Sequence, residues 1–171
     1  MKNLNTKALC KQIKASRNQM IWSLKDGEHT ISDRRWAIKS KTLSPDVRVT
    51  LLSIFEGDMP EEGGCLHLQH GSILKNVAIT TPEPEQGHVE YKRTKYMMDY
   101  EGPWKLRVFL NAENKAVYIN ENFLGICDSR MQSFGSGMMR PLFFPEINYV
   151  VLPVRYVGEN DLLSIMAAEP S

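Results

Sequence analysis

The sequence predicts an α+β fold with mostly antiparallel sheets and two or three short helices. Roughly eight segments have strand composition, and most are joined by short turns of the kind found in hairpins. The helical segments are few and do not alternate with strands, which argues against a parallel nucleotide-binding sheet. The chain has 171 residues, of which 42% are hydrophobic, so it can bury a core without disulfides or a metal ion.

Residues 4–17 predict the first helix, because they contain no Gly or Pro and are rich in helix formers. At 100° per residue Leu9 and Ile13 share one face, and Lys7, Lys11 and Lys14 fall together on another. Three aligned ammonium groups are typical of a solvated surface, and they also suit contact with a phosphate backbone.

The rest of the first half predicts two hairpins and one more helix. Asp26-Gly27 and His70-Gly71 are the expected hairpin turns. Ser44-Pro45-Asp46 has the form of an N-cap, a first-turn proline and an acidic first turn, so it predicts a helix that ends at Gly57. The expected strands are 19–24, 29–39, 65–69 and 72–80.

The Pro- and Glu-rich stretch 82–88 predicts a linker between two halves, 1–81 and 89–156. Residues 157–171 form a C-terminal tail in this interpretation. The second half predicts strands over 89–100, 104–110, 117–119, 141–144 and 149–155, a short helix over 120–127, and a flexible glycine-rich loop at 134–137.

Composition limits the partners that the chain can have. Lys and Arg number 21 and Asp and Glu number 20, so any nucleic-acid contact must come from a local patch. No apolar stretch is long enough to cross a bilayer and none resembles a signal peptide, so we expect a cytoplasmic protein with no membrane partner. The three cysteines include no C-x-x-C pair, which predicts buried free thiols.

The densest group of potential metal ligands is Cys65-x-His67-x-x-His70. Strand alternation places residues 65 and 67 on one face and 70 on the other, so only a turn at His70 would bring the histidines together. A metal site fits this pattern, and so do histidines that are hydrogen-bonded or face the solvent; we favour the second interpretation. We therefore expect neither metal nor cofactor.

A second basic stretch combines Lys92, Arg93 and Lys95 with Tyr91 and Tyr96. Such a pattern is compatible with nucleic-acid contact along a strand and equally with an ordinary exposed strand.

No catalytic motif is present, so the sequence predicts a protein that is not an enzyme. An enzyme whose site is assembled from distant residues is an alternative that leaves no local motif.

Three stretches carry a family resemblance. The first is the opening helix with 20–27 and 31–33, and the second is Ser44-Pro45-Asp46 with 51–55 and 60–64. The third consists of 119–124, 140–144 and 149–156. Together they resemble the bacterial sliding clamp, the β subunit of the replicative DNA polymerase, and its phage-encoded relatives. The resemblance implies a DNA clamp-like fold, and ring closure would need several copies in a cyclic homo-oligomer.

In clamps, basic residues on the helices that line the pore meet DNA phosphates. The resemblance therefore assigns Lys7, Lys11 and Lys14 to the backbone of double-stranded DNA. The final strand of a clamp forms part of a groove that receives peptides from partner proteins. Here that groove would be formed by Leu152, Pro153, Val154 and Arg155, which also have the composition of an ordinary core strand.

The tail contains one apolar cluster, formed by Leu162, Leu163, Ile165 and Met166. This cluster resembles the short linear motifs that clamps bind. We expect it to dock in the groove of this chain or of a host clamp; the alternative is that it caps the sheet.

The resemblance implies a non-enzymatic, sliding-clamp-like DNA replication accessory protein. It would contact the DNA backbone without sequence preference and dock replication proteins. The alternative is a phage or mobile-element interaction or inhibitor protein with a clamp-like fold, which binds a host factor and does not encircle DNA.

Overall fold

The computed structural model describes residues 3–85 and 89–155 and has the predicted α+β architecture. Within these two ranges, eleven strands form one antiparallel sheet, accompanied by two α-helices. The first half contains α1 (Thr6–Ala15), β1 (Gln19–Lys25), β2 (Glu28–Ser32), β3 (Trp36–Ser40), α2 (Pro45–Ile54), β4 (Cys65–Gln69) and β5 (Ser72–Lys75). The second half contains β6 (Val89–Asp99), β7 (Lys105–Leu110), β8 (Ala116–Asn120), β9 (Ser133–Gly135), β10 (Leu142–Phe144) and β11 (Tyr149–Val151).

The two helices predicted in the first half of the chain are confirmed, and each begins at a side-chain cap. The Asn5 side chain accepts a hydrogen bond from the Ala8 N–H at 3.1 Å, and the Ser44 hydroxyl accepts one from the Val47 N–H at 3.4 Å. Pro45 occupies the first turn of α2, where its missing N–H costs no hydrogen bond. In the described part of the chain, neither helix has the length and apolar character needed to span a membrane.

The predicted single strand over 29–39 is wrong, because a tight turn divides it into β2 and β3. Arg34 has φ +78°, and the Asp33 carboxylate accepts a hydrogen bond from the Arg35 N–H at 2.9 Å. An Asp side chain that bonds the backbone two residues on stabilises a turn without Gly or Pro. The chain from β1 to β3 is therefore a three-stranded meander.

The second half contains three further corrections. The predicted helix over 120–127 is a single 3-10 turn at Glu121–Phe123, capped by the Asn120 side chain. Part of the predicted glycine-rich loop is strand β9, in which Phe134 pairs with Phe143 of β10. The last predicted strand, 149–155, ends as regular structure at Val151.

The sheet continues from one predicted half of the chain into the other. Its strand order is β5-β4-β1-β2-β3-β11-β10-β9-β6-β7-β8, so β11 lies between β3 and β10. Beyond β11, the Val154 N–H donates to the Tyr118 carbonyl of β8 at 2.8 Å. β8 is the last strand in the order, so this bond joins it to the chain that follows β11. The part of the sheet from β11 to β8 is therefore strongly curved.

The main core lies between the two helices and one face of the sheet. Its largest fully buried side chains include Trp22, Trp36, Phe55, Phe109 and Tyr149. From the helices, Leu9 and Ile13 of α1 join Val47 and Leu51 of α2 in this cluster. A smaller cluster covers the far end of the sheet and consists of Met98, Leu106, Val108, Ala116 and Tyr118.

The opposite face of the sheet is crossed by residues 76–85, which we call the strap. The Cys65 thiol lies 3.2 Å from the Val77 carbonyl, and the Lys39 ammonium lies 2.7 Å from the Glu83 carboxylate. Glu85 then accepts a hydrogen bond from the Ser136 hydroxyl beyond β9. The first part of the predicted linker is thus held against the sheet.

His67 is buried on this face of the sheet, and neither ring nitrogen has a hydrogen-bond partner in the described part of the chain. Its strand neighbours in register are Ile21 and Leu74. Burial, and then the positive charge of Arg34, lower the pKa of His67 below its ordinary value of 6.5. Near pH 7 the folded chain therefore holds His67 mainly in its neutral form.

We expect His67→Leu to raise the free energy of unfolding by about 1 kcal/mol, because it removes two buried, unpaired polar atoms. The unfolded chain binds a proton at His67 more readily than the folded chain, so wild-type stability falls as the pH drops below 6.5. Urea unfolding measures the free energy of unfolding at pH 7.5 and at pH 5.5. Between these two pH values we expect it to fall less for His67→Leu than for the wild type. His70→Asn, at an exposed turn residue, is the control; equal pH dependence in all three proteins would contradict the prediction.

Candidate nucleic-acid interface

Lys7, Lys11 and Lys14 lie on the solvent side of α1, and all three side chains are exposed. They face a groove of about 520 Å³ between α1 and α2. The remaining lining consists of Cys10 from α1 and Asp46, Val49 and Thr50 from α2. The three lysines predicted from the sequence are therefore brought together at one surface feature, which we call the lysine groove.

Helix α1 directs its lysine face to the solvent because its opposite face packs in the core. Leu9 and Ile13 are buried, and residues three and four apart on a helix share a face. Gln12 is also buried, and its amide donates to the Tyr149 hydroxyl at 3.0 Å. The Tyr149 hydroxyl donates in turn to the Phe123 carbonyl at 2.9 Å. These bonds fix the rotation of α1 and direct the lysines outward.

The lysine groove is positively charged. None of its three ammonium groups forms an ion pair with any residue in 3–85 or 89–155. Asp46, in the first turn of α2, is the acidic side chain among the described lining residues. Three positive charges against one negative charge leave the groove suited to an anionic partner.

A second cavity, of about 580 Å³, lies on the other side of α1. It is bounded by α1, by the turn over residues 120–125 and by Trp104 from the β6–β7 hairpin. Lys11 lines both this cavity and the lysine groove. The two features are therefore adjacent, and we call the second one the tryptophan cleft.

Arg35 also borders the tryptophan cleft, and Arg107 and Arg93 contact Glu121 in its wall. The Arg35 guanidinium lies 4.9 Å from the centre of the Phe123 ring and is bonded to the Asp33 carboxylate at 2.7 Å. Arg107 and Arg93 hold the Glu121 carboxylate at 2.8 Å and 3.1 Å. The carboxylates near the cleft are thus neutralised by arginines, and Lys11 adds an unpaired positive charge.

Glu121 is ionised within this arginine pair. Partial burial alone would raise the pKa of the Glu121 carboxyl, but the hydrogen bonds and charges of Arg107 and then Arg93 lower it below its ordinary value. The same contact raises the pKa of Arg107. Glu121, Arg107 and Arg93 form a group that we call the ionised triad. The ionised triad stabilises the end of β8 and the turn that forms one wall of the cleft.

Comparison with known proteins gives no further guide. No family model, no curated protein and no solved structure matches this chain. The assignment of the site therefore depends on the geometry described above.

The predicted partner-peptide segment lies beyond the end of β11. The Leu152 N–H donates to the Arg35 carbonyl at 2.8 Å, and Val154 packs against the smaller core cluster. Leu152 and Arg155 are exposed, whereas Pro153 is partly buried. The segment thus combines exposed and packed residues. The tail cluster Leu162, Leu163, Ile165 and Met166 lies outside the described residues.

The side chains of Cys65, His67 and His70 do not come together at one place. Cys65 and His67 share the strap side of the sheet, and His70 lies exposed in the β4–β5 turn with φ +47°. Among the residues that the structure describes, no three His, Cys, Asp or Glu side chains are placed to hold a metal ion. Burial raises the pKa of the Cys127 thiol to about 12, so this thiol is not a nucleophile near neutral pH.

The second basic stretch is largely structural. Tyr91 is buried, and Arg93 is bonded to Glu121. The Lys95 ammonium lies 5.8 Å from the centre of the Tyr96 ring. Arg93 and Tyr91 therefore stabilise the fold and are not displayed for nucleic acid.

The sequence analysis missed Arg35, Trp104 and Glu121, which line the tryptophan cleft and not the lysine groove. They lie far apart in the chain and form no local motif. One signal was present for Trp104, because Gly102-Pro103 before it predicts a turn, where a large aromatic side chain is left without a core to join.

Proposed function

We propose that this protein is a non-enzymatic, sliding-clamp-like accessory protein of DNA replication. In this proposal the lysine groove contacts the phosphate backbone of double-stranded DNA. One observation carries the proposal: Lys7, Lys11 and Lys14 line a single groove without ion pairs to any described residue. Charges left unpaired on one helix face are suited to a polyanion in spite of a net charge of only +1.

The chemistry of the lysine groove favours binding without sequence preference. Lysine contacts phosphates as a point charge, whereas base readout uses Arg, Asn or Gln in bidentate contacts. No described lining residue of the groove is Arg, Asn or Gln. Duplexes of unrelated sequence should therefore bind with similar affinity.

The arrangement of α1 and α2 supports the clamp-like part of the proposal. Both helices pack on one face of an antiparallel sheet and pack against each other, which leaves their outer faces to solvent. A ring built from several copies would direct such helix faces toward a central DNA. Partner proteins would dock elsewhere, and the segment 152–155 is our candidate for that contact.

The test measures the affinity of the full chain for two fluorescent duplexes of equal length and unrelated sequence, by anisotropy, from low to moderate salt. We expect equal affinities and a linear fall of log affinity with log salt, with a slope near −3, since about 0.9 counterion is released per phosphate contact. Absence of duplex binding at low salt would overturn the proposal. A strong preference for one sequence would overturn the claim of backbone recognition.

A further inference from the structure

The tryptophan cleft has the features of a site for an aromatic, anionic ligand. Its volume of about 580 Å³ lies within the usual range for small-ligand pockets. Trp104, at its edge, is 41% exposed, whereas Trp22 and Trp36 are fully buried. A large indole ring kept at the surface beside a cavity offers a flat apolar face to a planar ligand.

The cationic groups of the cleft are placed to hold a phosphate beside that indole. Lys11 has no ion pair in the described part of the chain. Arg35 uses its Nε and Nη2 atoms for Asp33, and its Nη1 atom has no hydrogen-bond partner among the described residues. A guanidinium oriented on one side by a carboxylate and supported below by the Phe123 ring keeps its remaining N–H groups available for an anion.

The acidic residue of the cleft does not oppose this assignment. Glu121 is bonded to both Arg93 and Arg107, so this group of three carries a net charge of +1. Adding Lys11, and counting Arg35 as balanced by Asp33, leaves the surroundings of the cleft positive. Charge complementarity therefore favours a phosphate-bearing ligand over a neutral or cationic aromatic one.

We propose that the tryptophan cleft binds an unpaired nucleotide of single-stranded DNA, with its base stacked on Trp104 and its phosphate at Lys11 and Arg35. This inference rests on the proposed function, because Lys11 also lines the lysine groove and would connect the two sites. Stacking on an aromatic side chain is tolerant of base identity, so the cleft would hold any unpaired base. The protein would then recognise DNA where a duplex adjoins a single strand.

The position of the three tryptophans supplies a direct readout. Because Trp22 and Trp36 are fully buried, a base that stacks on the protein quenches mainly the emission of Trp104. The probes are a 12-nucleotide oligothymidylate, an abasic strand with the same phosphates, and a duplex of equal length. We expect the oligothymidylate to quench the tryptophan emission, and we expect the abasic strand and the duplex to bind without quenching.

The variants are Trp104→Ala and Trp104→Phe. We expect Trp104→Ala to lower the affinity for oligothymidylate about tenfold and to leave the affinity for the duplex unchanged. Trp104→Phe retains an aromatic face and should restore most of the single-strand affinity, measured by anisotropy. Circular dichroism of both variants should match the wild type.

The outcomes separate this inference from the proposed function. If the duplex binds but oligothymidylate causes no quenching and Trp104→Ala binds it as tightly as wild type, the stacking site is overturned and the lysine groove is retained. If neither duplex nor single strand binds at low salt, both proposals are overturned. Quenching by the abasic strand would also overturn the inference, because no base would be present to stack.

Discussion

Replacing Lys7, Lys11 and Lys14 together by Gln is expected to lower the affinity for duplex DNA on the order of 100-fold at 0.1 M salt. Each lysine that contacts a phosphate contributes about 0.9 to the slope of log affinity against log salt, so the slope should become less steep by about 3. The three side chains are exposed and have no ion pair among the described residues, so the melting temperature should not change. Anisotropy titrations at several salt concentrations measure both quantities.

A matched variant separates the position of these charges from their number. Lys25, Lys75 and Lys115 are exposed residues on β1, on β5 and in the β7–β8 turn, away from α1. Changing these three residues to Gln removes the same charge from the chain. We expect this variant to keep nearly the wild-type affinity, and equal losses in the two triple variants would contradict a specific role for the lysine groove.

Glu121→Gln is expected to lower the free energy of unfolding by about 2 kcal/mol near neutral pH. Removing one partner of a fully buried ion pair generally lowers the free energy of unfolding by more than this amount. We expect the smaller loss here because the Glu121 side chain is 29% exposed. The substitution would leave Arg107 and Arg93, both mostly buried, without their carboxylate. Urea denaturation measures the change.

The same carboxylate predicts a pH dependence. The pKa of Glu121 is lowered in the folded chain, so its stabilising effect is present above its ordinary value of 4.5 and is lost as the pH falls through the folded value. The difference between wild type and Glu121→Gln should therefore shrink in acid. Glu61→Gln is the control, because the Glu61 side chain is exposed and forms no ion pair with any described residue. A difference that is constant from pH 7 to pH 3 would contradict the role of the ionised triad.

The elements that the sequence predicts well are those with local signals. Asn5 and Ser44 cap the two helices, and Asp26-Gly27 and His70-Gly71 adopt the positive φ angles that hairpin turns require. The turn at Asp33–Arg35 was missed because its stabilising contact is a side-chain hydrogen bond, without Gly or Pro to mark it. Strand β9 was missed because Gly135 and its neighbours have the composition of a loop, and only pairing with β6 and β10 makes it a strand.

The candidate site also contains residues that could be predicted from the sequence and residues that could not. Lys7, Lys11 and Lys14 were predictable because helical periodicity alone places them on one face. Arg35 and Trp104 were not, because they line one cleft only through long-range strand pairing, in which β11 joins β3 to the second half of the sheet. Helix α1 then closes the cleft through the bond between Gln12 and Tyr149. Local patterns describe a helix face, whereas a cleft between distant segments depends on the whole fold.

We propose that several copies of this chain assemble around DNA with their lysine grooves facing it. The most direct test is the mass of the full chain in solution, by multi-angle light scattering at two protein concentrations and at low and moderate salt. We expect a closed assembly of about three to six copies whose mass does not change between the two concentrations. A monomer under all four conditions would contradict encirclement and would favour an interaction protein that binds a host factor.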